Sequence, residues 1–175
     1  IDGELGGLRE ADDFEDNMRD VYQRYLQDLH SSPIPVPVVV RPSRERPDEG
    51  WPVILLLHGF GDSHQNYIRE AQEWAATGML AVAVPATWPF SETGGTWSLT
   101  STDVTAQQLI RILESDLLQG EFDSERVFLL GFSQGGLHSL AVMAEHPGRF
   151  QGVVALSPGG EPFGPLAVPV IRTGR

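Results

Sequence analysis

The chain alternates between two apolar rhythms. Residues 11–30 place Phe14, Met18, Val21, Tyr22, Tyr25, Leu26 and Leu29 at steps of three and four, which predicts an amphipathic helix. Its early turns are rich in acids, which suits the positive end of a helix dipole. Pro33, Pro35 and Pro37 then favour extended chain. Val38–Val40 follows as a short strand, expected at a sheet edge because proline cannot donate to a ladder. From Trp51 the pattern becomes α/β. Val53–Leu57, Met79–Val84, Arg126–Leu130 and Gln151–Leu156 are short continuous apolar runs, as expected for strands buried on both faces. Val168–Ile171 opens a fifth. Between them, residues 66–77, 102–118 and 135–145 carry helical spacing, with Gly78 and Pro147 as stops.

Strands alternating with helices of this length imply a mostly parallel sheet covered on both faces. The expected organisation is an N-terminal segment over residues 1–50, holding a helix and an edge strand, and an α/β core over residues 51–175. Pro85–Ser101 is long, irregular and rich in Trp, Pro, Gly and Thr. Loops of that length inside a compact domain usually serve a function.

Charge and composition narrow the function. The formal net charge is -12, and half of that excess falls within the first thirty residues. Nucleic acid and anionic membrane surfaces are poor partners for such a chain, because both need clustered cations. The chain has no cysteine, which removes disulfides, thiolate metal sites and a cysteine nucleophile. Its longest apolar runs are too short to cross a bilayer, so a soluble protein is expected, in a compartment the sequence does not name.

The chemistry is carried by two motifs. The first is Gly131-Phe132-Ser133-Gln134-Gly135-Gly136, directly after a buried strand and directly before a helix. A G-x-S-x-G in that position is a nucleophile elbow: the turn strains the serine backbone and tolerates only small neighbours. The alternative is a plain glycine-rich turn closing a strand, which the strand and helix in register disfavour. The following helix aims its first amides at the serine, so the N–H of Gln134 becomes one oxyanion donor. The second motif is His58-Gly59-Phe60-Gly61-Asp62, at the end of an earlier buried strand. Its glycines let the backbone turn toward a substrate oxygen, and the N–H of Phe60 is the expected second donor. Asp62 reads as a turn or cap residue, and His64 as a less favoured substrate contact. Trp88 and Trp97, in the Pro85–Ser101 loop, are candidate substrate-binding residues, with packing of the loop onto the domain an equal alternative.

At these two motifs the sequence resembles the phospholipase/carboxylesterase branch of the α/β-hydrolase superfamily, with dienelactone-hydrolase-like and feruloyl-esterase-like relatives sharing much of the pattern. The resemblance runs from about Trp51 to the C-terminus. It implies the α/β-hydrolase fold, hydrolysis of carboxylic esters or thioesters of small molecules, and Ser133 as nucleophile. It also implies the Phe60 and Gln134 amides as oxyanion hole, and neither a metal nor an organic cofactor.

One part of the triad is not found. In this fold the order along the chain is Ser, then Asp or Glu, then His. After Ser133 there are only Glu145, Glu161, His138 and His146. His138 and His146 read as packed or helix-end residues. Residues 168–175 resemble the strand that precedes the family's acid loop. The expectation is therefore that the acid and histidine lie on polypeptide beyond Arg175, either in the same chain or as a separate fragment. The competing reading is a hydrolase-fold binding or regulatory module without a triad.

Overall fold

The computed structural model describes residues 36–97 and 102–159, together with helical positions Asn17, Asp20, Val21, Gln23, Arg24, Gln27 and Asp28. The predicted N-terminal helix therefore lies mostly outside the described residues. The Val168–Ile171 strand, Glu161 and the C-terminal turn lie wholly outside them. The chain divides into two compact units, Ile1–Pro33 and Ile34–Arg175. Val38–Val40 and the charged loop after it belong to the second.

Among the described residues, the second unit is built on a five-stranded sheet. Its strands are β1 (Val38–Val40), β2 (Trp51–Leu57), β3 (Leu80–Val84), β6 (Phe122–Phe132) and β7 (Gly152–Leu156), in the order β1-β3-β2-β6-β7. The strands β2, β3, β6 and β7 run parallel; only β1 is antiparallel, on β3. The proline-flanked valines thus occupy the edge, as their sequence context predicts. Three helices connect the strands: α1 (Ile68–Thr77), α2 (Asp103–Leu113) and α3 (Gln134–Glu145). A 3-10 turn, His64–Tyr67, precedes α1. The long loop contains a small hairpin that periodicity does not reveal, with β4 (Trp88–Pro89) paired to β5 (Gly95–Thr96).

The apolar runs are explained by the two faces they serve. In β2, Val53, Leu55 and Leu57 point to one side, where they meet Leu109, Ile112 and Val142 of α2 and α3. Ile54 and Leu56 point to the other, with Ala81, Ala83 and Ala71 of α1. Successive strand residues alternate faces, so a strand covered on both sides has no polar positions. Each fully buried Leu or Ile contributes about 1.5–3 kcal/mol by leaving water. α1 ends as predicted: Gly78 adopts φ 97, and its N–H bonds the carbonyls of Ala75 and Trp74.

At the far rim, Arg41 holds Glu121 bidentately at 2.6 and 2.9 Å. The hydrogen bond and charge of Arg41 lower the Glu121 carboxyl below its ordinary value. Among the described residues no helix is long and apolar enough to cross a membrane.

Candidate active site

Parallel sheets present their ligand sites at the carboxyl ends of the strands. Here those ends belong to β2 and β6, paired at Leu57↔Gly131. β6 runs two residues further than its apolar run, to Phe132, and α3 begins at Gln134. Ser133 is the whole connection. It takes φ 51 and ψ -118, a left-handed conformation that an L residue adopts only under constraint.

The constraint is visible on both sides. The Ser133 N–H donates to Leu156 O at 3.0 Å, and its carbonyl accepts from Leu137 at 3.1 Å and Gly159 at 3.2 Å. The flanking glycines are required by space rather than by φ. A Cβ on Gly131 would stand 2.2 Å from Gly135 O. A Cβ on Gly135 would stand 2.3 Å from Leu57 O and 2.5 Å from His58 O. The elbow and the end of β2 thus touch backbone to backbone.

The His58–Asp62 loop lies against the serine: a Cβ on Gly59 would sit 3.4 Å from the Ser133 Cβ. His58 is buried, and its Nδ1 lies 2.7 Å from Gly59 O, so this nitrogen carries the proton and donates. Burial is the main cause that lowers its pKa, against opposing effects of the Gly59 hydrogen bond and of Asp62. His64 is lowered too, by burial first and then by His58. Asp62 accepts from Ser63 N at 2.7 Å and Asn66 Nδ2 at 2.6 Å, which ties down the start of the 3-10 turn that Ser63 caps. Tyr67, beneath the loop, is pushed up to about 12 by burial and the nearby carboxylates.

These shifts fix the sign of a pH effect. Burial in the fold disfavours the charged forms of His58 and His64, so below their ordinary value of 6.5 the unfolded chain binds more protons. Their stabilising contribution is complete above that pH and is lost as pH falls below it. The melting temperature is expected to drop between pH 7.5 and pH 5, and the drop to shrink in His58→Asn. A flat profile in the wild type counts against this account.

The hairpin closes the site from the third side. Gly61 N–H bonds Gly95 O at 2.9 Å, Gly95 N–H bonds Asp62 O at 2.8 Å, and the rings of Phe60 and Phe90 meet edge to face at 4.5 Å. Between loop and hairpin lies a cleft of about 430 Å³, lined by His58, Asp62, His64 and Trp88 among others. Trp88 is thus on a cleft wall. Trp97 has no exposed surface and does not line that cleft. Its indole N–H donates to His58 O at 2.7 Å, and its ring packs on His58, with centroids 5.3 Å apart. In this structure Trp97 supports the His58–Asp62 loop from inside. A larger apolar groove of about 510 Å³ lies beside β6 and β7, but none of the motif residues lines it.

Among the described residues after Ser133, His138 and Glu145 have hydrogen-bond partners away from the serine. His138 is fully buried, with Nδ1 2.9 Å from Thr105 Oγ1 on α2. Glu145 accepts from Thr102 Oγ1, and His146 is the C-cap of α3. Carboxylate oxygens of Asp103 and Glu145 and a ring nitrogen of His146 lie within 4.8 Å of one another. They sit at the opposite end of α3 from Ser133, about 18 Å away at 1.5 Å per residue.

A family model for Hydrolase_4, serine aminopeptidase S33, matches residues 50–172. The chain belongs to that family. Its fold is the α/β-hydrolase fold expected from the two motifs, and the S33 family is the branch within it that the match identifies. NocK of Nocardia uniformis subsp. tsuyamanensis, which carries an esterase name, is 32% identical over 133 residues, covering 69% of this chain and 38% of the relative. Human monoglyceride lipase is 27% identical over 106 residues, covering 61% of this chain and 34% of the relative. The S33 chain thus spans less than two-fifths of these relatives. Among solved structures, the Bacillus cereus carboxylesterase superposes with a TM-score of 0.56 at 16% identity, covering 75% of this chain and 66% of that one. Esterase PE8 gives 0.56 at 20%, covering 69% and 62%. At those identities the likeness concerns the fold.

Proposed function

We propose that this chain carries the nucleophile and oxyanion hole of a serine hydrolase acting on small-molecule carboxylic esters. The observation that carries the reading is the left-handed Ser133 between β6 and α3, pressed against Gly59. In the reaction, Ser133 Oγ attacks the ester carbonyl and an acyl-enzyme forms as the alcohol leaves. The carbonyl oxygen becomes an oxyanion in the intermediate and takes hydrogen bonds from the N–H groups of Phe60 and Gln134, each worth about 3 kcal/mol in the transition state. The first-turn amides of a helix have no partner within the helix, so Gln134 has a donor to offer. Water then hydrolyses the acyl-enzyme.

The proton of Ser133 needs a base. Among the described residues after Ser133, His138 is committed to Thr105 and His146 ends α3. We therefore propose that the histidine, and the acid that orients it, lie on polypeptide beyond Arg175. The esterase and lipase names of the relatives favour esters over peptides as substrates. The cleft beside Trp88 offers room for part of the substrate, and Trp97 acts beneath it by holding the His58 carbonyl. The test is mass spectrometry of the intact protein after a fluorophosphonate: one adduct, on the peptide containing Ser133, is expected. No adduct would favour the binding-module reading instead.

A further inference from the structure

The side chain of Gln134 forms an unusual connection. It is buried, at 5% exposure, and its carboxamide pairs with a main-chain peptide. Oε1 accepts the Trp97 N–H at 3.1 Å and the Thr96 hydroxyl at 3.0 Å. Nε2 donates back to Trp97 O at 3.4 Å. A side chain here acts as one rung of a β-ladder. Only an amide of this length does both jobs: a carboxylate has no donor, a thioether has neither function, and Asn is one methylene shorter.

The partner segment has two further attachments. Gly95 exchanges two backbone hydrogen bonds with the loop around Phe60, at Gly61 and Asp62. The Trp97 indole holds His58 O. Residues 95–97 therefore bracket a loop and a helix start that are 74 positions apart in sequence at their donors, Phe60 and Gln134. An oxyanion hole works only while its two N–H groups keep a fixed separation, because preorganisation is the source of its effect.

We infer that the Gln134 side chain is a positioning residue that sets this separation, through the Gly95–Trp97 bracket, in addition to the donor role of its own N–H. The inference rests on the esterase reading of Ser133 for its catalytic consequence, but the mechanical tie stands without it. Loss of the carboxamide frees one end of the bracket. The loosening then reaches Gly61 and Phe60, which Gln134 itself does not hydrogen-bond.

Amide hydrogen exchange on the intact protein tests the tie. In Gln134→Met, the amides of Gly61 and Gly95 are expected to exchange about tenfold faster, the size of one lost net hydrogen bond. The amides of Leu55 and Leu129, in the core strands, keep their wild-type rates. Acceleration confined to Trp97, or none, overturns the inference. Should Gln134→Met fold poorly, Thr96→Val removes one bond of the set and decides by the same pattern at about threefold. The catalytic consequence is read with p-nitrophenyl acetate, per mole of fluorophosphonate-titratable Ser133. Turnover at each site is expected to fall about tenfold with KM within about twofold, as for a group acting only on the transition state. Fewer titratable sites with normal turnover at each would show a merely structural role and overturn the catalytic part. If the wild type takes no adduct at Ser133, the esterase reading falls, and the exchange pattern at Gly61 alone decides for or against the bracket.

Discussion

Replacing Ser133 with alanine is expected to abolish both the fluorophosphonate adduct and ester hydrolysis, with a loss of at least about 10⁴-fold in kcat. The melting temperature should stay within a degree or two of wild type. Among the described residues the hydroxyl has no hydrogen-bond partner, whereas the backbone of this residue makes three bonds, to Leu156, Leu137 and Gly159, and alanine keeps all of them. Ser133→Gly separates strain from chemistry. It is equally inactive, but it relaxes φ 51, a conformation that costs an L residue on the order of 1–3 kcal/mol. That relief offsets the extra chain entropy of glycine, roughly 0.4–1 kcal/mol. Ser133→Gly should therefore melt no lower than Ser133→Ala. Residual hydrolysis near the wild-type rate in either variant would move the nucleophile elsewhere and remove the central assignment. A clear fall in melting temperature in Ser133→Gly would remove the strain argument alone.

How much of this was legible beforehand depends on the range of the forces involved. The core strands and helices announce themselves because burial on two faces erases polar positions locally, as in Val53–Leu57. The elbow is legible because its steric demand is local too: Gly131 and Gly135 lie within two positions of Ser133. The β4–β5 hairpin was not legible. Its strands are two residues long, and its order comes from Gly61 and Gln134, contacts that lie far off in sequence. Trp97 illustrates the same limit. A tryptophan in an irregular loop reads equally well as a pocket wall or as packing, and the deciding partner, the carbonyl of His58, is 39 residues away. Gln134 was legible only through its backbone. The motif asks for an N–H at that position and leaves the side chain open, so nothing local shows that the carboxamide pairs with a peptide 37 residues earlier.

The second large effect is expected at Gly135. A methyl group there would enter the space between α3 and the end of β2, 2.3 Å from Leu57 O and 2.5 Å from His58 O. Both neighbours are backbone, the last residue of β2 and the first residue of the loop that follows it, so no side chain can swing away to make room. Either α3 lifts from the sheet or the His58–Asp62 loop shifts. The energetic cost of such overpacking is about 1–3 kcal/mol, which lowers the melting temperature measurably. The functional cost should be larger. The N–H of Gln134 precedes the inserted methyl by one residue, and the N–H of Phe60 follows the displaced carbonyl of His58 by two. Any relief of the clash therefore changes the separation of the two proposed donors. A displacement approaching 1 Å lowers kcat about 10²-fold. Gly136→Ala is the control: its methyl would meet Gly131 O at 3.0 Å and Pro158 Cα at 3.3 Å, a tight contact that a small shift relieves. Gly135→Ala should accordingly lose far more turnover per folded molecule than Gly136→Ala, measured by circular dichroism and single-turnover acylation on the same samples. Equal losses in the two variants would mean that the close approach of α3 to β2 does not set the oxyanion geometry.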